Sequence, residues 1–170
     1  FSPTRPEHRG AYEKLMASAG IARDRYLFLP QGRDDAENLA RYRLVDVVLD
    51  PMPFGNVNGT LEPLLMGVPV VTLVGRRHGE RSSYSILVNA GVTCTVAHSG
   101  RDYVDIAVRL AEDEAFMRET RAAIAERLPA STLVDATVYA RNIEAAYVAA
   151  LAQKAPEALQ AAGVPAPVPQ

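Results

Sequence analysis

Residues 45 to 75 read VDVVLDPMPFGNVNGTLEPLLMGVPVVTLVG, and this stretch decides the fold class. Val45–Leu49 is a short apolar run, rich in β-branched residues and too brief for a helix. Val70–Val74 has the same character. Between the two runs, Thr60–Met66 is expected to form a helix that ends at Gly67. A strand, a helix and a second strand in this order predict a parallel pair joined by a right-handed crossover.

Two further apolar runs, Tyr26–Leu29 and Val92–Ala97, continue the pattern on both sides. Such near-continuous runs are typical of strands buried on both faces of a parallel sheet. Amphipathic segments alternate with them, and we expect helices over Pro6–Ala19, Asp34–Tyr42, Glu80–Ala90, Asp102–Ala111, Ala115–Leu128 and about Val134–Gln153. The sequence therefore predicts an α/β fold, a Rossmann-like parallel sheet with flanking helices.

The domain organisation follows from length and composition. The chain has 170 residues, 48% of them apolar, which suits one domain or one lobe of a larger enzyme. Residues 1–153 are expected to form this lobe, and residues 154–170 a loose Ala/Pro-rich tail. Phe1-Ser2-Pro3 resembles the end of a strand that begins before residue 1, so the sheet is expected to be incomplete at its N-terminal side.

Composition also argues against several functions. The net charge of -2 and the lack of a basic face argue against nucleic-acid binding. No apolar run approaches the roughly 20 residues that span a bilayer. A single cysteine, Cys94, expected in the core, indicates a reducing compartment, the cytoplasm. His8, His78 and His98 do not have the spacing of metal ligands, so no metal site is expected.

The loop after Val45–Leu49 is the best candidate for a binding site, because ligands of open α/β sheets lie beyond the carboxyl ends of strands. Gly55 and Gly59 leave room for close backbone approach. Pro63 is expected in the first turn of the next helix, which would then begin at Gly59 or Thr60. That start would leave the first four amides from Gly59 onward free to bind a diphosphate.

Side chains near this helix start suit the same ligand. Asn56 and Asn58 can donate to phosphate or sugar oxygens, and Glu62 can accept from a ribose diol. The basic run GRRHGER, residues 75–81, includes Arg81 and could neutralise a diphosphate. An ordinary strand–loop–helix connection and a solvated basic loop explain the same residues equally well, so the residues alone leave both interpretations open.

The chain from Tyr26 to about Leu151 resembles the C-terminal catalytic lobe of the O-linked N-acetylglucosamine transferase family, the SPINDLY-like proteins. It is also similar to their bacterial relatives, including the HMW1C-type protein N-glycosyltransferases. Three stretches carry the resemblance: Leu27–Pro30, Val45–Asn56 and Gly59–Gly75. The resemblance implies the C-terminal lobe of a GT-B glycosyltransferase.

The resemblance also implies roles for individual residues. The family's phosphate-binding run falls on residues 57–59, where the O-linked enzymes carry His-Thr-Thr. The implied diphosphate contacts are Gly55, Asn56, Asn58, Gly59, Thr60 and Arg81. The ribose-binding acid falls on Glu62, and the base-binding residues on Arg33, Asp35, Asn38 and Arg41. Asp35 and Asn38 stand where the family has a lysine and a histidine. The family's catalytic lysine falls upstream of this chain.

The implied reaction transfers a sugar, with inversion, from a UDP-sugar to a protein Ser/Thr or Asn. The expected donor is UDP-N-acetylglucosamine, a substrate rather than a cofactor, and no metal is obligatory. The expected partners are a protein or peptide acceptor and an N-terminal lobe, with helical repeats of about 34 residues ahead of it. The alternatives are a sugar-nucleotide 2-epimerase, which shares the two-lobed fold, and a non-catalytic nucleotide-binding module.

Overall fold

The computed structural model describes residues 6–30 and 32–163. The chain divides into two compact units, Phe1–Asp46 and Val47–Gln170. The expected strand end at residues 1–3 lies outside the described residues, and so does the last part of the tail, residues 164–170.

Two α-helices lie in the described part of the first unit. Helix α1, Pro6–Ser18, is followed by Gly20 at φ +73°, a left-handed conformation that glycine adopts without strain, as predicted. Helix α2, Asp35–Ala40, begins after Asp34, whose carboxylate accepts from the Glu37 amide in the first turn. A 3₁₀ turn, Arg41–Leu44, follows directly. The predicted helix over residues 34–42 is therefore present, although its end is 3₁₀.

The predicted strand Tyr26–Leu29 is wrong. A strand requires a hydrogen-bonded neighbour, and none pairs with this segment among the described residues of the first unit. Leu27 is 77% exposed. The rings of Tyr26 and Phe28 instead form an edge-to-face pair with centroids 5.5 Å apart, and Arg9 lies over the Phe28 ring. The aromatic side chains of this run therefore pack in a local cluster rather than in a sheet.

The second unit is built on a three-stranded parallel sheet of β1, β2 and β3, in that order: Val48–Leu49, Val70–Leu73 and Val96–Ala97. Val48 pairs with Val70 and Thr72 pairs with Val96. Since Val70, Val71 and Thr72 are fully buried, the central strand β2 is covered on both faces. The predicted α/β fold with a parallel sheet is confirmed.

Six helices of the second unit follow or separate these strands: α3 Asn58–Leu65, α4 Ser82–Asn89, α5 Gly100–Glu112, α6 Glu114–Arg127, α7 Ala136–Lys154 and α8 Pro156–Ala161. Gly67 and Gly91 follow α3 and α4 with φ of +74° and +70°, as the sequence predicts. Helix α8 corrects the loose-tail prediction. Its proline stands at the start, where the missing N–H costs nothing, and good helix formers follow.

Two successive residues of β2 anchor two separate apolar clusters. Val70 belongs to a cluster with Leu64, Leu87 and Ile124 from helices α3, α4 and α6. Val71 packs in another cluster, whose buried members are Leu110 and Phe116. Because successive side chains of a strand point to opposite faces, the helices cover the sheet on both sides.

Two predictions about burial are wrong. Cys94 is exposed, with its sulfur 3.7 Å from the hydroxyl of Thr120, while Thr95 is fully buried. The predicted strand was long enough to hide Cys94, but β3 begins only at Val96. The amphipathic helix predicted over about Val134–Gln153 corresponds to α7, and its Tyr139 is 62% exposed rather than packed.

None of the helices in the described part of the chain has both the length and the apolar character that crossing a bilayer requires.

Neighbouring leucines of α3 provide a direct test of this packing. Leu64 is 1% exposed and Leu65 is 53% exposed. Leu64→Ala should lower the free energy of unfolding by about 2–5 kcal/mol because it leaves a cavity in the core. Leu65→Ala should cost less than about 1 kcal/mol, since the side chain already faces water. Urea denaturation of both variants measures the difference, and equal losses would contradict the described orientation of α3.

Candidate functional site

Helix α3 begins one to two residues earlier than Pro63 predicts. It starts at Asn58, so Pro63 lies in the helix interior rather than in its first turn. Proline there removes one hydrogen bond to the carbonyl four residues back. The ring is buried, and the Pro63 carbonyl accepts from the amides of Met66 and Val68, so the helix closes tightly after it. Burial and these two bonds offset the lost one.

The earlier start changes which amides are free. The Gly59 amide donates to Oδ1 of Asn56 at 3.1 Å. The amides of Thr60 and Leu61 both donate to the Val57 carbonyl, at 3.2 and 3.1 Å. The prediction of four free amides from Gly59 onward is therefore wrong, because a side chain and a tight turn already satisfy the first three.

The backbone amides without a hydrogen-bond partner lie earlier in the chain than predicted. The amides of Val57 and Asn58 have no hydrogen-bond partner within residues 6–30 and 32–163. Both residues are exposed. Two adjacent unpaired N–H groups at the positive end of a helix make an anion-binding position.

A buried carboxylate holds the loop that leads to these amides. Asp50, at the end of β1, is 5% exposed. Its Oδ1 accepts from the Asn56 amide at 3.0 Å and its Oδ2 from the Thr72 hydroxyl at 2.7 Å. The Tyr103 hydroxyl donates to the Asp50 carbonyl at 2.9 Å. Burial, followed by the charge of Asp50, raises the pKa of Tyr103, so the phenol remains a donor.

Thr60 supports the loop from beneath. Its side chain is fully buried. Its hydroxyl donates to the Asn56 carbonyl at 2.7 Å and lies 2.9 Å from the Ser83 hydroxyl. The residue was expected to touch phosphate, but the structure places it under the backbone that presents the free amides.

Gly55 joins this loop to the basic segment at residues 75–81. Its amide donates to the Gly79 carbonyl at 3.1 Å, and the Ser82 hydroxyl lies 3.3 Å from the Gly55 carbonyl. A Cβ on Gly55 would lie 2.9 Å from the hydroxyl oxygens of Ser82 and Ser83. Only glycine fits between the two segments, and its amide is used internally.

Glu80 shapes the basic segment. Its Oε2 accepts from the amides of Arg76 and Arg77 at 2.9 and 3.2 Å, and these bonds hold the pKa of Glu80 below its usual range. A Cβ on Gly75 would lie 2.2 Å from the Cβ of Glu80, so glycine is required for this approach. The segment thus has a fixed backbone and exposed arginine side chains.

Arg81 follows Glu80 and lies beside a cavity. Its guanidinium lies over the Tyr84 ring, 5.2 Å from the centroid. The cavity, of about 520 Å³, adjoins both the start of α3 and the basic segment and is lined by Val57, His78, Arg81, Ser82, Tyr84, Ser85, Ile86, Val88 and Asn89. The structure therefore brings Arg81 and the start of α3 to one opening.

Glu62, the predicted ribose-binding acid, lies in the second turn of α3 and is half-buried. Asn58 is exposed, while the Asn56 side chain is occupied in capping Gly59. No group of three or more His, Cys, Asp or Glu side chains within the described ranges is arranged to hold a metal ion.

The predicted base-binding residues belong to the first unit. Oδ1 of Asn38 accepts from the Gly32 amide at 3.0 Å and from Nη1 of Arg41 at 3.4 Å. Nε of Arg41 is buried and finds no acceptor in the part of the chain that is described. Arg41 thus retains an unused donor beside an ordered turn.

The other two predicted base-binding residues have different surroundings. Arg33 forms an ion pair with Glu37, with Nε 2.7 Å from Oε1, and this bond raises the pKa of Arg33. Asp35 is exposed in the first turn of α2. Arg33 is therefore held by its own unit, and Asp35 is open to solvent.

Sequence reasoning missed the residues that support the site. Tyr103, Ser82 and Ser83 were not among the predicted site residues. All three bond to the backbone or side chains of the loop. An available signal was Asp50 itself, since a carboxylate that ends an apolar strand must find donors if it is buried.

The sequence and the fold match a known family. Residues 5–143 match Glycosyl transferase family 41. The chain is 31% identical over 139 residues to the probable UDP-N-acetylglucosamine–peptide N-acetylglucosaminyltransferase SPINDLY of Solanum lycopersicum, covering 82% of this chain and 15% of that protein. A UDP-N-acetylglucosamine–peptide N-acetylglucosaminyltransferase of Caenorhabditis elegans is 35% identical over 109 residues, or 64% of this chain and 9% of that one.

A solved structure has a similar fold. A mutant of Thermobaculum terrenum O-GlcNAc transferase superposes with a TM-score of 0.76 at 32% identity, covering 84% of this chain and 27% of that one. The fold prediction, a Rossmann-like lobe of a glycosyltransferase, is confirmed. The chain belongs to glycosyl transferase family 41, within its SPINDLY-like and O-GlcNAc transferase-like relatives. It spans about 15% of the length of the SPINDLY relatives that it matches.

The role of Thr60 can be tested with two substitutions. Thr60→Val removes the hydroxyl and leaves the Asn56 carbonyl and the Ser83 hydroxyl without their buried partner, which should cost about 1–3 kcal/mol of unfolding free energy. Thr60→Ser keeps the hydroxyl and loses one methyl group, at about 1 kcal/mol. Urea denaturation compares the two. A valine variant that is as stable as the serine variant would show that the hydroxyl does not hold the loop.

The lowered pKa of Glu80 predicts that the hydrogen bonds within the basic segment depend on pH. Its pKa is lowered in the folded protein, so its bonds to Arg76 and Arg77 contribute fully above the unfolded value of about 4.3. They are lost as pH falls through the lowered value. An NMR titration should move both arginine amide signals with a shared midpoint below about 4.3. Glu80→Gln should abolish that step, and a midpoint at or above the ordinary value would disprove the assignment.

Proposed function

We propose that this lobe binds the UDP-sugar donor of a protein glycosyltransferase, with the diphosphate at the start of α3. The observation that carries the proposal is the pair of unpaired amides of Val57 and Asn58, side by side at a helix N-terminus. Phosphate oxygens accept from such amides, and the helix dipole favours their negative charge. Membership in family 41 supports the choice of a nucleotide-sugar.

The basic segment supplies the charge that two amides lack. Arg81 lines the same cavity as Val57, and Arg76 and Arg77 are exposed on the same segment. A sugar leaving UDP places negative charge on the diphosphate, and fixed positive groups stabilise that charge as it develops. In this proposal arginine side chains take that role, and no metal is required.

The remaining donor contacts follow the resemblance. Glu62 accepts from the ribose hydroxyls, one to two turns from the free amides along α3. The base contacts are those that the resemblance implies, from Arg33, Asp35, Asn38 and Arg41. Since these four residues lie in the first unit, their part in the site remains a prediction from the sequence.

We further propose UDP-N-acetylglucosamine as the donor and a protein Ser/Thr or Asn as the acceptor, with inversion at the sugar. The relatives' names support the donor and the peptide acceptor for those proteins. The catalytic lysine and the acceptor-binding lobe are assigned to other parts of the enzyme. The exposed, unpaired thiol of Cys94 suits a reducing compartment such as the cytoplasm.

Calorimetric titration of UDP and UDP-N-acetylglucosamine into the full-length protein tests the donor site. Glu62→Ala should weaken UDP binding by about 10-fold, the loss of one charge-assisted hydrogen bond. Glu119→Ala, which removes an exposed carboxylate from α6, is the matched control and should bind as the wild type does. If UDP does not bind, or if Glu62→Ala binds it unchanged, the assignment fails. Product analysis with a peptide acceptor then separates glycosyl transfer from epimerisation.

Arg81 allows a test of the diphosphate position alone. Arg81→Ala should weaken UDP binding by about 3- to 10-fold, since its guanidinium is exposed and screened. Binding of uridine, which has no phosphate, should not change. Arg118→Ala on the exposed surface of α6 controls for net charge. Equal losses for UDP and uridine would place Arg81 away from the phosphates.

A further inference from the structure

Among the groups that hold the loop between β1 and α3, the carboxylate of Asp50 carries a negative charge. Asp50 is nearly buried, yet no cationic side chain among residues 6–30 and 32–163 pairs with its carboxylate, which accepts from the Asn56 amide and the Thr72 hydroxyl. Burying a carboxylate is costly unless it is well hydrogen-bonded. A carboxylate under a proposed anion site also repels the ligand. Asp50 must therefore make a contribution that outweighs both the free-energy cost of its burial and its repulsion of the ligand.

The bonds of Asp50 show what it provides. Thr72 is fully buried on the central strand β2 and is therefore a fixed point. From it a continuous chain of bonds runs through Asp50 to the Asn56 amide, and from the Asn56 side chain to the Gly59 amide. The Asn56 carbonyl accepts from Thr60, which is bonded to Ser83 of α4. The loop is therefore fixed to β2 on one side and to α4 on the other.

The consequence concerns Val57 and Asn58. They follow Asn56 directly, and Asn56 is held at its amide, its side chain and its carbonyl. With those groups fixed, the next two amides have no partner within the loop and are left available to a ligand. If Asn56 were released, its neighbours could turn their amides toward the vacated acceptors.

We propose that Asp50 is a positioning residue for the donor: its carboxylate holds Asn56 so that the amides of Val57 and Asn58 face the diphosphate. The inference rests on the proposed function and adds to it a residue that does not touch the ligand. Preorganised donors bind more tightly because the ordering cost is met before the ligand arrives.

Four variants of the full-length protein test it. Asp50→Ala removes both acceptors. Thr72→Val removes only the donor to Oδ2 and is the milder substitution if the alanine variant does not fold. Asp50→Asn keeps an oxygen for the Asn56 amide and presents an amide group to Thr72, so it retains the bonds without the charge. Thr120→Val removes a buried hydroxyl of α6 that bonds to Phe116, outside the loop.

Two readouts separate positioning from a loss of stability. Calorimetry gives the Kd for UDP, and amide hydrogen exchange, without ligand, gives the protection of the Asn56 amide. We expect Asp50→Ala to raise the Kd by about 10- to 100-fold and Thr72→Val by about 3- to 10-fold, with loss of Asn56 protection in both. Asp50→Asn should bind within about 3-fold of wild type or tighter, since it keeps the bonds and removes a repelling charge. Thr120→Val should lower the melting temperature and leave the Kd unchanged.

The outcomes are distinguishable. If the wild type binds UDP and Asp50→Ala binds it equally well, the positioning role is overturned and the donor site stands. If Thr120→Val raises the Kd as much as Thr72→Val, the effect is general destabilisation and the inference is also overturned. If the wild type does not bind UDP, the proposed function fails, whereas loss of Asn56 protection in Asp50→Ala would still show that Asp50 holds the loop.

Discussion

The site depends on one constraint, the burial of a carboxylate at the end of a parallel strand. Asp50 is nearly inaccessible to water, so its oxygens must be satisfied from within the protein. They are satisfied by a hydroxyl of the central strand and by a backbone amide of the following loop. This fixes where the loop turns, which in turn fixes where α3 begins and which of its amides remain free.

Much of the fold could be predicted because its signals are local. The runs at Val45–Leu49 and Val70–Val74 contain β-branched residues at strand length, and Gly67 and Gly91 adopt the left-handed conformation expected after a helix. Tyr26–Leu29 has a similar composition, but composition does not reveal whether a neighbouring strand exists to pair with it. Strand pairing depends on contacts with another segment, and the composition of one segment does not determine those contacts.

The details of the site were harder to predict for a related reason. Pro63 was expected to mark the helix start, yet it lies inside α3 because its buried ring and its doubly used carbonyl offset the missing amide. The shift of α3 by one to two residues moved the free amides from Gly59 and Thr60 to Val57 and Asn58. A binding site made of backbone groups depends on helix boundaries, which are the least predictable part of a secondary-structure assignment.

The departure of Val57 from the residues found in the O-linked enzymes is compatible with this arrangement. A valine side chain cannot donate to phosphate, but its backbone amide can, and that amide is one of the two that remain unpaired. In the proposed site the charge comes from Arg81 of the basic segment, which lines the same cavity as Val57. Because backbone amides provide direction and arginines provide charge, the side chain at position 57 can change without removing either contribution. What cannot change freely is the buried support beneath it, since Gly55 fits only without a Cβ and Thr60 is enclosed on all sides.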